Sequence, residues 1–257
     1  MTLQACADIV ARGDPDRFAA AMAAPVAARR VLFPLYAFNV EVARAPWVAS
    51  EPMIGEMRLQ WWRDAVTEIA QNVPVRKHEV TVPLAEALDR SVAFRLDTLI
   101  AARRWDLYKD PFEDDGHFRN YLANTGGWLM WVAARSLGAP AEAESPVRQF
   151  GTATALVRFL AAVPELEARG RIPLVDGRVE AIAKLAEAAW EKTPTKDTLG
   201  QALPKPARPA VLEGWQTRRL LALIAQDPGR VSRGAVHQSE FRKRASLMLA
   251  AFDQIFR

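Results

Sequence analysis

The sequence predicts an all-α protein, and three observations support that prediction. Apolar residues recur at spacings of three and four through most of the 257 residues, which is the period of an amphipathic helix. Alternating apolar and polar runs joined by hairpin turns, which would indicate strands, do not recur. Proline and glycine interrupt the helical pattern at intervals, so the chain divides into successive helices.

Each predicted helix lies between two such interruptions. Asp14-Pro15 and Glu51-Pro52 each start a helix, because proline is favoured at the first helical position. Apolar positions change face near Ser91 to Phe94, which predicts a break inside one long stretch. The predicted helices span 3–12, 15–23, 25–45, 52–71, 80–107, 115–137, 145–168, 178–192, 208–226 and about 238–254.

The predicted organisation is a single domain over residues 1–257. A chain of this length with 50% hydrophobic residues can bury one large core. Segment 194–209 contains four prolines and few large apolar residues, which predicts an internal linker between helices.

Composition favours a reducing cytoplasm, since the single cysteine, Cys6, cannot form an intramolecular disulfide. The N-terminus carries Asp8, Asp14 and Asp16 and lacks the apolar core of a signal peptide. Apolar runs fall short of the roughly 20 residues that span a bilayer. We therefore expect a cytoplasmic protein, with peripheral contact at the inner face of the membrane as an option. The net charge of +4 suits an anionic partner, although a solvated basic surface is the alternative explanation.

Common catalytic signatures are absent from the sequence. It contains no P-loop, dinucleotide fingerprint, His-Glu-x-x-His, paired cysteines or Gly-x-Ser-x-Gly, which sets those activities aside. His78, His117 and His237 lie far apart without a neighbour at ligand spacing, so zinc chemistry has little support.

Several segments, in this order, carry a family resemblance. They read PLYAFNVEVAR at 34–44, EMRLQWWRD at 56–64, WDLY at 105–108, YLANTGG at 121–127 and RFLAAVPELEARGRIP at 158–173. Their order and spacing resemble the squalene and phytoene synthase family over about residues 25–175. The resemblance implies the isoprenoid synthase fold, a helical bundle around a central cavity.

The resemblance also implies magnesium chemistry, but the metal motifs are altered here. In the family, two aspartate motifs on facing helices hold magnesium, which draws a diphosphate off a prenyl chain. The matching positions of this sequence hold Ala43, Arg44, Trp47, Ala162 and Leu166, and of the second motif's acids only Glu165 remains. We therefore predict no catalytic residue and no cofactor; magnesium enters only if the chain is an active synthase after all.

Other acids do not obviously rebuild a metal site. Asp106 and Asp110 form an Asp-x-x-x-Asp pair, but Pro111 ends the helix, so a structural or solvated role is favoured. The acids over 113–115 precede a helix that begins near Gly116, where they suit its positive N-terminal dipole.

The two tryptophans of the second segment cannot share one helical face. One of Trp61 and Trp62 is therefore expected in the core, and the other beside a groove or on the surface. Arg58 lies four residues before Trp62, so both could line a pocket mouth, with a solvated salt-bridge face as the equal alternative.

The predicted ligand-binding residues come from the segments of the resemblance. Arg44 and Arg158 are expected to approach each other across the former metal site, where their charges need neutralisation. Either Glu41 and Glu165 pair with them, or they hold a phosphate or carboxylate headgroup. The full predicted set is Tyr36, Asn39, Arg44, Arg58, Trp62, Asn124 and Arg158.

Three functions compete at this point. The favoured one is a non-catalytic binding or assembly protein, because RLQWWRD and its lead-in at 51–53 resemble the branch that contains a respiratory complex I assembly factor. Its expected partner is a protein, or a prenyl or anionic lipid ligand. The alternative is an active prenyltransferase that joins two prenyl diphosphates head to head. Nucleic-acid binding rests only on the basic cluster at 242–244 and is set aside; the sequence leaves the oligomeric state open.

Overall fold

The computed structural model describes residues 2–49 and 51–255, and the regular structure within these ranges is helical, without a strand. No helix in these ranges combines the length and apolarity needed to cross a membrane. The α-helices are α1 Leu3–Gly13, α2 Pro15–Ala23, α3 Val26–Val48, α4 Pro52–Ala70, α5 Thr81–Ala87, α6 Arg90–Ala93, α7 Arg95–Ala102, α8 Asp115–Leu122, α9 Trp128–Ser136, α10 Glu144–Ala168, α11 Val179–Lys192, α12 Lys196–Ala202, α13 Thr217–Gln226 and α14 Glu240–Ile255.

Side-chain caps fix several helix starts. Asp14 accepts a hydrogen bond from the Arg17 amide at 3.0 Å, and Pro15 opens α2. Asp114 accepts one from the His117 amide at 2.7 Å, so the capping role predicted for the acids at 113–115 is confirmed for Asp114. The predicted break in the 80–107 stretch is also present, as α5 to α7 are three short helices.

Two apolar clusters form most of the core, each built around one long helix. In the first, α3 contributes the fully buried Leu32, Leu35 and Phe38, against helices that include α1, α4, α7 and α9. In the second, Leu160 of α10 packs with residues of α8, α11 and α13. Helices α3 and α10 carry the positions that the family resemblance matches to its two metal motifs, so the core holds both sets of positions on rigid elements.

The segment over 194–209 is structured, which corrects the prediction of a linker. Helix α12 is followed by a 3₁₀ helix, Lys205–Gly214, and Leu199, Leu203 and Ala207 are at most 3% exposed in the first cluster. Prolines suit the start of a 3₁₀ helix, and small residues between them allow close packing. The 3₁₀ helix occupies the residues where the predicted helix 208–226 would begin, so α13 begins at Thr217 instead.

Glycines bring α10 against the helical stretch that runs from α8 to α9. A π-helical turn, Ala123–Gly127, joins those two helices. A Cβ added at Gly126 would lie 2.5 Å from the Ala155 Cβ and 2.7 Å from the Gly151 carbonyl oxygen. Only glycine permits this approach, which fixes the position of α10 beside the cleft described next.

Candidate functional site: an arginine-lined cleft

The candidate site is a cleft between α1, α3 and α10. It consists of two adjoining cavities, an outer one of about 570 Å³ and an inner one of about 190 Å³. Both cavities are lined by Arg17, Asn39, Trp47, Arg103 and Arg158.

The positions that the family resemblance matches to its two metal motifs face this cleft. Ala43, Arg44 and Trp47 of α3 line the outer cavity. Ala155, Arg158, Ala162 and Leu166 of α10 line the inner one. The structure therefore brings together the two sets of positions that the family resemblance paired.

Guanidinium groups dominate the charge of the cleft walls. They belong to five arginines from separate elements: Arg12, Arg17, Arg44, Arg103 and Arg158. The carboxylates among the lining residues are Asp14 and Asp106. Guanidinium groups that lie this close together repel one another, so nearby carboxylates are needed to neutralise their charge.

A buried ion network supports the floor of the cleft. Asp14 lies 2.7 Å from both Arg17 and Arg158, and Arg158 lies 3.6 Å from Glu213. Arg17 also donates to Glu213, whose side chain is 1% exposed. Burial alone would raise the pKa of Asp14, but the charges of Arg158 and Arg17 lower it to about 2. The network thus keeps Asp14 ionised inside the protein.

A second network, around Arg103, also borders the cleft. Arg103 donates to the Tyr121 hydroxyl at 2.8 Å and to Asp106 at 3.2 Å, and the Tyr121 hydroxyl donates to Asp106 at 3.0 Å. Burial raises the pKa of Tyr121, so the phenol remains protonated. Asp106 is 5% exposed, which agrees with the structural role predicted for it.

Several polar atoms near the cleft have no hydrogen-bond partner in the described part of the chain. Asn39 is 5% exposed, lines both cavities, and its side chain forms no hydrogen bond there. The Arg103 Nε and the Tyr36 hydroxyl are buried and unpaired. Buried polar groups are seldom left unpaired, and of these groups the Asn39 side chain lines both cavities and can bind a polar ligand there.

The predicted neutralisation of the arginines is right for one and wrong for the other. Arg44 pairs with Glu41 at 3.0 Å, as expected. Arg158 pairs with Asp14 and Glu213 instead of Glu165, whose side chain is 68% exposed and bonded to Arg169. Glu165 lies on the outer side of α10, one turn before Arg169, and so cannot serve the cleft.

The other predicted site residues fall at three different places. Arg58 and Trp62 line a separate pocket of about 200 Å³, which Arg44 also borders. Tyr36 is fully buried beneath the cleft, with the Arg17 guanidinium 5.5 Å from its ring. Asn124 lies in the π-helical turn and lines none of the cavities described above.

The tryptophan pair is arranged as predicted. Trp62 is 5% exposed in the core, and the half-buried Trp61 packs edge-on against it, with ring centroids 4.9 Å apart.

Sequence reasoning missed Asp14, Arg17, Arg103 and Glu213 as part of the site. Glu213 is 196 residues from Arg17 along the chain, so no local pattern joins them. The capping signal at Asp14 was visible, but it predicts a helix start rather than an ion pair with α10.

The cleft does not fit the magnesium ions that its fold family implies. Magnesium prefers near-octahedral oxygen coordination, usually from carboxylates and water. The lining carboxylates, Asp14 and Asp106, are each already engaged with guanidinium groups. Residues 2–49 and 51–255 contain no group of three or more His, Cys, Asp or Glu side chains placed to hold a metal.

Comparison with known proteins agrees with this architecture. A family model described as "Squalene/phytoene synthase" matches residues 10–176. The chain belongs to the squalene/phytoene synthase family. The family predicted from the sequence is thereby confirmed.

Relatives of known name are assembly factors. NADH dehydrogenase (ubiquinone) complex I, assembly factor 6, is 28% identical over 170 residues in Bos taurus and 26% identical in Homo sapiens. Each match covers 65% of this chain and 51% of the relative, so the chain matches about half the length of these proteins. The predicted resemblance to the assembly-factor branch of the squalene/phytoene synthase family is confirmed.

Solved structures show the same fold. A dehydrosqualene synthase superposes with a TM-score of 0.72 at 16% identity, covering 96% of this chain and 94% of that one. Squalene synthase HpnC from Alicyclobacillus acidocaldarius gives 0.70 at 16% identity, with coverages of 87% and 93%. The predicted isoprenoid synthase bundle is therefore confirmed.

Proposed function

We propose that this protein is a non-catalytic member of the squalene/phytoene synthase family that acts as a binding or assembly protein. The observation that carries the proposal is the cleft itself: guanidinium groups line the space where a synthase needs carboxylates and magnesium. The relatives named complex I assembly factor 6 support the assembly role. We place this activity in the cytoplasm, at the inner face of the membrane, with a protein as the main partner.

The alternative, a head-to-head prenyltransferase, lacks the groups that its chemistry needs. Release of a diphosphate builds negative charge on the leaving oxygen, which metal ions neutralise in the transition state. Arginines can bind a diphosphate, but Ala43, Ala162 and Leu166 offer no oxygen with which to hold a metal against it. We therefore assign no catalytic residue to the cleft and no metal cofactor.

We further propose that the cleft holds the anionic headgroup of a lipid, a phosphate or a carboxylate. Arg44 of α3 and Arg158 of α10 both line the outer cavity, and Asn39 adds an unpaired amide to its wall. The outer cavity of about 570 Å³ falls within the roughly 300–1,000 Å³ typical of ligand sites, and the inner one falls below it. Of the other predicted ligand-binding residues, Arg58 and Trp62 border the neighbouring pocket and Tyr36 packs against Arg17. We assign no ligand contact to Asn124.

Binding without metal tests the ligand proposal. Titration calorimetry in EDTA would use inorganic phosphate, inorganic pyrophosphate and farnesyl diphosphate. We expect farnesyl diphosphate to bind without magnesium, and Arg44→Met with Arg158→Met to weaken it by about tenfold or more, since each charge-assisted pair contributes over 1 kcal/mol. Arg178→Met, on an 80% exposed side chain, is the matched control. Magnesium-dependent release of pyrophosphate would overturn the non-catalytic assignment.

The assembly role needs a cellular measurement. In the organism that encodes this chain, deleting its gene should lower the amount of assembled complex I seen on native gels. Expression of the intact chain should restore it. An unchanged amount of assembled complex I after deletion would contradict the assembly proposal, whatever the outcome of the binding experiment.

A further inference from the structure

Helix α14 presents an apolar face to solvent. Phe241, Met248 and Leu249 are 82%, 73% and 69% exposed. Phe241 and Met248 are seven residues apart and lie on one side of the helix, with Leu249 beside them. Exposed apolar side chains are normal singly, but three large ones on one face of a helix mark an interaction surface.

The opposite face of α14 is docked on the protein, so the apolar face has a fixed direction. Leu247, Ala250 and Ala251 pack against Ala20 and Leu212. Lys243 pairs with Asp16 of α2, on this inner side. These contacts fix the orientation of α14, so its apolar face points away from the protein.

Arginines flank the apolar face on both sides. Arg242 and Arg244 are exposed, and neither forms an ion pair with any carboxylate in the described part of the chain. At about 100° per residue, they lie on opposite sides of Phe241 around the helix. The carboxylate of Glu240, at the start of the helix, lies 3.8 Å from the Lys243 ammonium group.

We propose that this face of α14 binds the surface of an anionic lipid bilayer, with the helix parallel to the membrane plane. An interfacial helix places large apolar side chains at the headgroup boundary and cations beside the lipid phosphates, which is the arrangement found here. A protein helix on the same face would need acids on both of its flanks to match Arg242 and Arg244, which is a narrower requirement. Lipid is therefore the occupant that the charges favour.

This inference rests on the location proposed above, the inner face of the membrane, and is independent of the function proposed for the cleft. No described residue of α14 lines either cleft cavity. The helix also lies beyond residues 10–176, the part that matches the family model. Membrane binding through α14 could therefore hold or fail while the cleft behaves as proposed.

Vesicle sedimentation tests the proposal with the full chain. Phosphatidylcholine vesicles would be compared with vesicles that also contain phosphatidylglycerol. We expect binding to the anionic vesicles only, weakened by salt because part of the attraction is electrostatic. Phe241→Ser with Met248→Ser should reduce binding at least about tenfold, as two large apolar side chains no longer enter the interface. Arg242→Gln with Arg244→Gln should remove the preference for phosphatidylglycerol.

A matched control comes from another exposed apolar pair. Met53 and Met57 of α4 are 72% and 68% exposed, so Met53→Ser with Met57→Ser removes similar apolar surface elsewhere. This control should bind vesicles as the unaltered chain does. All variants should also have the melting temperature of the unaltered chain. Equal loss of binding in the control, absence of binding to anionic vesicles, or self-association that depends on Phe241 and Met248 would each overturn the proposal.

Discussion

Asp14 connects local backbone structure to the cleft. Its carboxylate caps α2 through the Arg17 amide and pairs with the guanidinium groups of Arg17 and Arg158. One side chain therefore fixes a helix start and the distance between α2 and α10. Such a buried charge stabilises only while it is ionised.

The lowered pKa of Asp14 predicts a pH dependence of stability. A carboxyl group with a pKa of about 2 in the folded chain and 3.8 when unfolded contributes about 2 kcal/mol above pH 4. That contribution is lost as the pH falls from about 4 to 2, because the unfolded chain takes up the proton first. Asp14→Asn retains the helix cap and removes the charge, so it should lower the free energy of unfolding at pH 7 and flatten its change over this range.

Urea unfolding at several pH values measures this effect. Asp115→Asn is the control, since the Asp115 side chain is 74% exposed and only weakly paired with Arg119 at 4.0 Å. If Asp14→Asn and Asp115→Asn change the unfolding free energy equally, the ion network does not stabilise the fold.

The tryptophan pair makes a second prediction at the residue scale. Trp62 is buried against Phe38, with ring centroids 5.5 Å apart, so Trp62→Ala should cost about 3–5 kcal/mol. Trp61 is only half-buried, and Arg76 lies 5.1 Å from its ring, so Trp61→Ala should cost about 1–2 kcal/mol. Thermal melting distinguishes them; equal costs would contradict the unequal burial.

At the scale of elements, the position of α10 depends on a glycine contact. A Cβ at Gly126 would meet the backbone of Gly151 and the Cβ of Ala155, neither of which can rotate away. Gly126→Ala should therefore destabilise the protein by about 1–3 kcal/mol.

Gly200 is the matched control for this change. It lies inside α12 and has no atom within 4 Å of an added Cβ, so Gly200→Ala should be neutral or stabilise by about 0.5–1 kcal/mol. Differential scanning calorimetry of both variants checks the pair. A stable Gly126→Ala variant would show that α10 and the π-helical turn can separate without cost.

Helices with clear punctuation and period were predictable from the sequence. Helix α2 was predicted at 15–23 and is Pro15–Ala23, because Asp14-Pro15 and Ala24-Pro25 mark both of its ends. Helix α12 was missed, because its few apolar residues lie between prolines and gain their burial from packing against α10 and the 3₁₀ turn Ala141–Ala143, which are distant in sequence. The local helix propensity of this segment is weak, so tertiary packing determines that it forms a helix.

At the scale of the whole molecule, the sequence predicted which motifs meet but not what surrounds them. Arg44 and Arg158 share the outer cavity as expected, since the family resemblance paired their helices. Their surroundings include Arg12, Arg17 and Glu213, which lie outside the motifs. Contacts between residues 144 or 196 positions apart leave no periodic signal in a single sequence.

The family-matched part of the chain should not fold alone. A fragment of residues 10–176 lacks Glu213, the buried partner of Arg17, and lacks the α13 residues Leu221 and Ile224 of the second core cluster. We expect no cooperative thermal transition by circular dichroism for this fragment. Co-expression with 177–257 should restore one; a sharp transition of the fragment alone would contradict this.

The Arg17–Glu213 pair also determines how late during translation the buried ion network can form. The ribosome makes the 196 residues that follow Arg17, up to and including Glu213, in roughly 10–40 s at 5–20 residues per second. During that time the nascent chain carries Arg17 without Glu213, and the ion network beneath the cleft is incomplete. The buried pair can therefore form only after Glu213 has been made, which makes this protein a candidate client of chaperones that hold unfinished chains.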